Sequence, residues 1–581
     1  MLRLILTAAL VFAACSAFGN DATPQIQIES TLPVAEVDQL RAALSLAAEP
    51  CNAPQWRLDR RRRNVAAEME PGLRALGYYQ PAIEVEIPTA EARDDGCWSA
   101  EIRLDPGTQV IWRAIDLELD GEGASDPVLA GITAKPGLEP GMPLTHADYA
   151  ALKNRLLRVA LERGYLDSMY SVSQLRVDPK RGVADAVLHF DTGARYRIGR
   201  IEIADGGLSA ERSARILGLH EGDPYSAAAI EAAYRRMRDA GYFRGVEVAP
   251  DLNPNPEHRI PVRVALTGVP AKAWRFGVGF DTDTGPRVTA GHAYRRINES
   301  GHQLDINALA SRDVSELSSE YRIPGEDPIN ERWAIQAGLR DEVTADIDSA
   351  LITLGTNYSH KAVYAGFDEP LTETLGLAYR EEDSRIADEI DQSTLLLPSV
   401  EWLWVPKLAT GDGASVRLGI KAAHTALISD TSFTQLSLGV RAQHRVNADW
   451  TLLGRMDLGL SAASAFATLP ASQRFFAGGD NSVRGYGFKR LGPHNASGQV
   501  VGGRHLIVLS TEVERRLTES WGIATFLDAG NAFNSRPELE YGYGLGARWN
   551  SPIGKVKLDF AIPSDTARDD FRLHFSLGTA F

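Results

Sequence analysis

The chain has 581 residues, 44% of them hydrophobic, which is long enough for several domains and too apolar for a disordered polymer. Its 61 Lys and Arg stand against 76 Asp and Glu, and the net charge of −15 argues against a nucleic-acid phosphate binder. A mean hydropathy of −0.19 is too polar for a bundle of membrane helices, yet compatible with a membrane barrel whose alternating strands average out.

Residues 1–20 read as a secretory signal peptide: Arg3, an apolar run from Leu4 to Ala14, then small residues around Ala17 to Asn20. Such a run rises only about 16 Å as a helix, short of the roughly 30 Å hydrocarbon core. Cys15 follows two alanines, as at a lipoprotein cleavage site, but Phe12 fits such a site poorly. Removal of the signal leaves Cys51 and Cys97. Export to a compartment where disulfides persist favours a bridge between them. Two separate buried thiols are the alternative, because sequence alone does not set the distance between the two Cα atoms.

Three repeats follow. A helix-like run ends in Gly and an aromatic residue at Gly77–Tyr78, Gly164–Tyr165 and Gly241–Tyr242, with spacings of 87 and 77 residues, and an alternating strand follows each. A strand-then-turn landmark recurs at Gly107, Gly193 and Gly268, separated by 86 and 75 residues. GMPL at Gly141 and GDPY at Gly222 each introduce a helix. The unit is strand, helix, helix, strand, strand, and the expected α+β domains span residues 25–107, 108–193 and 194–269.

Residues 270–581 change texture to alternating stretches of about ten residues separated by polar turns. Trp274, Phe276, Val278 and Phe280 face one way, and Arg275, Gly277, Gly279 and Asp281 the other; Phe571, Leu573, Phe575 and Leu577 alternate likewise near the end. A soluble sandwich and a transmembrane barrel both produce this pattern. Sandwich strands average five to six residues and membrane strands about nine to eleven, so the length favours an antiparallel barrel of about 16 strands. Its apolar face meets membrane lipid, and its backbone must close on itself.

No enzyme constellation is present: the 12 histidines lack zinc-like spacing, GGDNSVRG lacks the Lys-Ser/Thr of a phosphate loop, and no nucleophile elbow occurs. Neither a cofactor nor a metal is expected. Asp281 and Asp283 before Gly285 resemble a calcium loop only faintly and read as a hairpin turn. The informative segment is QRFFAGGDNSVRGYGFKRLGP, residues 473–493, whose Phe475, Phe476, Tyr486 and Phe488 are unusual in a glycine-rich polar loop. A loop folded back into the barrel lumen explains both the rings and Arg484; a long outer loop with incidental aromatics is the alternative. Downstream, alternation puts Ser510, Glu512 and Glu514 on one face, and Phe526, Asp528 and Gly530 on one face of the next strand.

These residues resemble the BamA/TamA superfamily of outer-membrane assembly and secretion proteins. Its in-folded sixth loop carries an Arg-Gly-aromatic motif, matched by Val483, Arg484, Gly485 and Tyr486, and its Phe-x-Asp-x-Gly strand is matched by Phe526, Asp528 and Gly530. Three repeats, RFFAGGDNSVRGYGF and SPIGKVKLDFAIP look most like the TamA branch. The resemblance implies three periplasmic α+β POTRA domains followed by an all-β 16-stranded antiparallel transmembrane barrel in a Gram-negative outer membrane. It implies that Arg484 binds the inner wall, with Glu512 and Asp528 as candidate partners, so that the loop acts as a latch; separate partners for the three charges are the alternative. The terminal FRLHFSLGTAF departs from the usual assembly-signal glycine position.

The implied activity is insertion or translocation of client β-proteins such as autotransporters, without bond chemistry. A gate is expected where the first strand (Trp274, Gly277, Gly279) meets the last (Phe571, Phe575, Phe581). The two glycines serve either to bend that strand or to pack it closely. The family further implies a TamB-like inner-membrane-anchored partner. A two-partner-secretion pore for one dedicated exoprotein is the alternative function, and a passive porin is disfavoured by the repeats.

Overall fold

The computed structural model describes residues 23–88, 97–253, 255–387, 389–408, 412–552, 554–564 and 571–578. The signal segment and Phe581 lie outside the described residues. The chain falls into two compact units: the part up to Arg200 with Glu221–Ala229 and Asp251–Pro261, and Ile201–His220 with Ile230–Pro250 and the part from Val262 onward.

In the first repeat, Gln25–Ser30 pairs parallel and Ala82–Glu86 antiparallel with Ser99–Asp105, so the last strand in sequence is central in the sheet. Its alternation buries Ala100, Ile102 and Leu104 in one core with Leu58, Val65, Met69 and Leu73. Where the repeat pattern implies two helices, this repeat forms three, Val34–Ala42, Gln55–Arg62 and Val65–Ala75, with a 3-10 turn at Ser45–Ala48. Prolines explain the division: Pro50 cannot continue a hydrogen-bonded turn, and Pro54 stands directly before a new helix. Between them, Cys51 is bridged to Cys97 with a Cα–Cα distance of 4.3 Å, so of the two readings of these cysteines the structure forms the disulfide.

The second repeat places Val183–Asp191 between Ile111–Asp120 and Met169–Asp178 and packs helices Pro127–Ala134 and His146–Glu162 on that sheet. The Gly-aromatic landmarks are helix stops. Gly77 and Gly164 sit at φ of +89° and +90°, where a side chain would be strained, and the next N–H turns back five residues: Tyr78 to the Leu73 carbonyl (2.8 Å) and Tyr165 to the Ala160 carbonyl (2.9 Å). A third sheet orders its strands Arg197–Ile203, Arg259–Gly268, Phe243–Pro250, again with the last strand central.

Asp126 fixes the second repeat's helices to each other. Its Oδ1 accepts the Val128 N–H at 3.0 Å as a helix cap, and its Oδ2 accepts Arg163 Nε at 2.6 Å from the end of the longer helix. Burial pushes the carboxyl up, but the Arg163 and Val128 hydrogen bonds outweigh it and hold it below the ordinary Asp value. A lowered folded-state value means that the stabilisation is present above the unfolded value near pH 4 and is lost as pH falls through the folded one. Asp126→Ala removes a cap and one partner of a largely buried pair, and is expected to cost about 2–4 kcal/mol. Hydrogen exchange of Pro127–Ala134 and His146–Glu162 at pH 7 in the intact chain checks this; unchanged protection would refute it.

Sixteen strands, from Lys272–Asp281 to Arg572–Gly578, close into an antiparallel barrel, so the sandwich reading is excluded. Its outer face is apolar: Phe276 (76% exposed), Val278 (79%) and Leu545 (68%) stand among many exposed large side chains, while Glu512, Asp528, Arg548 and Asp559 are buried inside. A water-soluble protein would lose about 25 cal/mol for each Å² of that apolar surface, and lipid removes the penalty. The first four strands keep the expected length of 9–11 residues, whereas the sixth to eighth (Ile347–Ala362, Leu371–Ile386, Glu389–Trp404) have 16 each. At a tilt of about 45° such strands reach ~37 Å and extend past the hydrocarbon layer.

Candidate functional site

The barrel is closed unevenly. Neighbouring strands elsewhere share ladders of up to 16 residue pairs, but among the described residues the first and last strands share two, Phe280 with Leu577 and Asp281 with Ser576. Two bonds extend the contact past the ladder: Thr282 N–H to the Phe575 carbonyl, and Phe575 N–H to Thr282 Oγ1, both 3.1 Å. Lys272–Gly279 therefore has no ladder partner in the last strand among the described residues.

Each expected gate residue other than Phe581 has a definite place. Trp274 points outward, stacked on Phe276 at 6.0 Å and with its ring 3.9 Å from that of His292. Phe575 meets the Phe280 ring across the seam at 5.7 Å, and Phe571 stacks on Phe560 of the preceding strand at 5.0 Å. Gly277 lies opposite Thr289 of the second strand. A Cβ at Gly279 would stand 2.9 Å from the Leu577 carbonyl oxygen, so that glycine permits close approach of the two strand backbones. A cavity of about 760 Å³ lies against the seam, lined from both sides by Gly277, Gly279, Asp281, His574 and Leu577, and by Asp480 of the loop.

The loop 473–493 runs between the eleventh strand (Trp450–Ala463) and the twelfth (His505–Arg516) and is fixed to the barrel interior. Val483 and Tyr486 belong to one buried cluster with Ala477, Leu491 and Val508, and Tyr486 donates from its hydroxyl to Glu540 at 2.9 Å. At Gly485 the backbone takes φ +97°, and a side chain would press on Pro563 backbone atoms at 3.1 Å, so both conformation and contact call for glycine. Far around the wall, Lys489 pairs with Glu342, and Arg490 with Asp346 at 2.8 Å.

Arg484 is the centre of the fixation. Its Nε and Nη2 fork onto Asp528 at 2.7 and 3.0 Å, its backbone N–H reaches the same carboxylate at 3.1 Å, and Nη1 reaches Glu512 at 2.7 Å. The guanidinium lies 3.4 Å from the Phe526 ring centroid, and Gly530 lies beneath Val483, whose Cγ2 a side chain there would meet at 3.1 Å. The structure thus gathers Val483, Arg484, Gly485, Tyr486, Glu512, Phe526, Asp528 and Gly530 in one place. It adds residues that alternation alone did not single out. Asp559 accepts from Arg484 Nη1 at 3.0 Å and pairs with Arg548, which in turn reaches Glu512 at 2.7 Å. Two guanidinium groups and three carboxylates thus form one buried network, in which each charge is hydrogen-bonded to an opposite one. Beside it, His574 of the last strand accepts the Gly485 N–H on Nε2 at 2.8 Å, and its Nδ1 donates to Asp480. The lumen-facing phase of their strands is the signal that marks Arg548, Asp559 and His574; which charges they meet is not written in it.

Residues 407–581 match the Omp85 superfamily domain, residues 25–106 a POTRA domain described as TamA domain 1, and residues 196–267 the surface antigen variable number repeat. With a closed 16-stranded barrel that runs into the first of these matches and an Arg-centred lumen loop inside it, the assignment follows. The chain carries an Omp85 superfamily domain. Among its relatives is the outer membrane protein assembly factor BamA of Neisseria meningitidis, 23% identical over 593 residues, covering 87% of this chain and 71% of that protein. BamA of Nitratidesulfovibrio vulgaris is 23% identical over 397 residues, 63% of this chain and about half (49%) of that protein's length. Two solved structures share the fold. BamA of Haemophilus ducreyi lacking POTRA domains 1–3 has a TM-score of 0.63 at 17% identity, covering 80% of this chain and 99% of that one. CdiB of Escherichia coli has a TM-score of 0.52 at 15% identity, covering 95% of this chain and 100% of that one. As an Omp85-superfamily barrel, the C-terminal part resides in a Gram-negative outer membrane with the N-terminal POTRA domains in the periplasm.

Proposed function

We propose that this chain inserts or translocates client β-proteins, autotransporters among them, by parting its first and last strands and lending the free edge of the first to a client strand. The observation that carries this reading is the two-pair seam, in which Lys272–Gly279 has no ladder partner in the last strand among the described residues. Backbone N–H and C=O groups cannot face hydrocarbon unpaired, so that edge favours any extended segment able to complete its ladder. No covalent chemistry is needed: hydrogen bonds lost at the seam are replaced by bonds to the client. The lumen loop favours this route over a standing open pore, because Arg484 and its partners hold it across the interior. The TamA-like role would add a TamB-like inner-membrane-anchored partner. Edge strands of the periplasmic sheets, such as Gln25–Ser30 and Ala82–Glu86, offer the same kind of strand addition to that partner or to clients.

The test is a covalent lock. Phe280 and Leu577 are direct partners across the seam, so Phe280→Cys with Leu577→Cys places two thiols at strand-pair distance. Client assembly is expected to stop on oxidation and to return on reduction. Assembly at the wild-type rate in fully cross-linked protein would remove the gate.

A further inference from the structure

Three segments far apart in sequence meet at the seam. Asp283 comes from the turn joining the first two barrel strands, Asp480 from the tip of the lumen loop, and His574 from the last strand. One ligand atom from each, two carboxylate oxygens and an imidazole nitrogen, lies within 4.8 Å of the other two. Asp283 is 8% exposed and His574 3%, so this is not a solvated acidic surface.

The hydrogen bonds leave the cluster incomplete. Asp480 accepts from Thr282 Oγ1 at 2.9 Å and from His574 Nδ1, and its backbone N–H donates to Asp283 Oδ2 at 2.6 Å. Asp283 Oδ1 is buried and has no partner among the described residues. A buried carboxylate oxygen left without a donor is destabilising, and here a second carboxylate lies beside it. Arg572 offsets part of that charge from the same strand as His574, yet makes no hydrogen bond to Asp283.

We propose that Asp283, Asp480 and His574 form a binding site for one divalent transition-metal cation of the zinc class. One imidazole with two carboxylates is a mixed nitrogen and oxygen set, which suits zinc, cobalt or manganese better than calcium or magnesium, whose sites are built from oxygen. Two ligands about 2.1 Å from one ion lie ~3.4 Å apart, so closing the cluster takes side-chain shifts of about 1 Å. His574 binds through Nδ1; its ring proton moves to Nε2, and the Gly485 N–H gives up its acceptor there. Binding thus exchanges two hydrogen bonds between loop and strand, Gly485 N–H to Nε2 and Nδ1–H to Asp480, for a three-point clasp over the first turn, the loop tip and the last strand. On the gate reading above, the loaded state holds the seam shut; the site itself does not depend on that reading.

The test uses the full chain in detergent micelles, titrated with zinc chloride by calorimetry after EDTA treatment and desalting. His189→Asn is present throughout, to remove the exposed Asp116, Glu118 and His189 group as a competing site. One zinc ion per chain is expected to bind with micromolar or tighter affinity, and magnesium at least a hundredfold more weakly. Asp283→Asn and His574→Gln are each expected to weaken zinc by at least tenfold while keeping the heat-modifiable mobility of a folded barrel. Cobalt gives a readout without variants: a visible absorption band of a low-symmetry nitrogen and oxygen site. Absence of saturable one-to-one zinc binding, or a loss under tenfold in a folded variant, overturns the site. Bound zinc with no effect on client assembly leaves the site standing and counts against its closing the gate.

Discussion

Arg484→Ala is expected to free the lumen loop and to abolish or severely impair client assembly while the barrel still folds. The substitution removes the shared partner of Asp528, Glu512 and Asp559 and leaves Arg548 as the guanidinium facing Glu512 and Asp559. Asp528 keeps only neutral donors, among them Ser510 Oγ at 2.6 Å and the backbone N–H of residue 484. Breaking a buried ion pair from one side costs about 3–5 kcal/mol, less where lumen water reaches the carboxylates. At about 1.4 kcal/mol per tenfold, even the lower figure raises the undocked population of the loop more than a hundredfold. Protease access to residues 473–493 and the temperature at which compact mobility is lost in SDS gels both report it. Arg484→Lys keeps the charge but cannot fork onto Asp528, so an intermediate defect is expected. Wild-type assembly together with an equally protected loop in Arg484→Ala would dismiss the latch.

Loss of the Cys51–Cys97 bridge is expected to destabilise the first repeat by about 4 kcal/mol and to leave the barrel unchanged. The two cysteines are 46 residues apart, and a cross-link across that length removes about this much chain entropy from the unfolded state. The repeat is small, with a core built from side chains such as Leu58, Met69, Leu73 and Ile102, so that amount is a large share of its stability. Hydrogen exchange of residues 25–88 in the full-length Cys51→Ser/Cys97→Ser protein and in reduced wild type, each compared with oxidised wild type, measures it. Equal protection in all three forms would show that the core suffices without the bridge.

The seam, the loop and the periplasmic sheets were legible in the sequence to different depths. Alternation along Trp274–Asp281 and Phe526–Gly530 assigns each side chain to lipid or lumen, because strand geometry has a period of two. The Gly-aromatic stops at residues 77 and 164 likewise announce left-handed helix ends. The extra helix of the first repeat was less visible, since Gln55–Arg62 stands behind Pro50 and Pro54 and has Trp56 and Leu58 as its apolar residues, too few to show a helical period. Asp283 shows how far local spacing reaches: beside Asp281 it reads as a turn residue, and its neighbours in space are residues 480 and 574.

Residue order by itself determined the repeat, the barrel class and the apolar outer face, since each follows from periodicity or from backbone demands a few residues long, while the Arg-Gly-Tyr loop was marked by its rings and by the family resemblance. Closure of the sheet decided the rest. It brought the last strand to the first with two residue pairs among the described residues, set Arg548 and Asp559 beside Arg484, and placed His574 against Asp480. Those contacts join segments up to nearly 300 residues apart, and register around a closed ring, unlike alternation within a strand, is fixed only when every strand is in place.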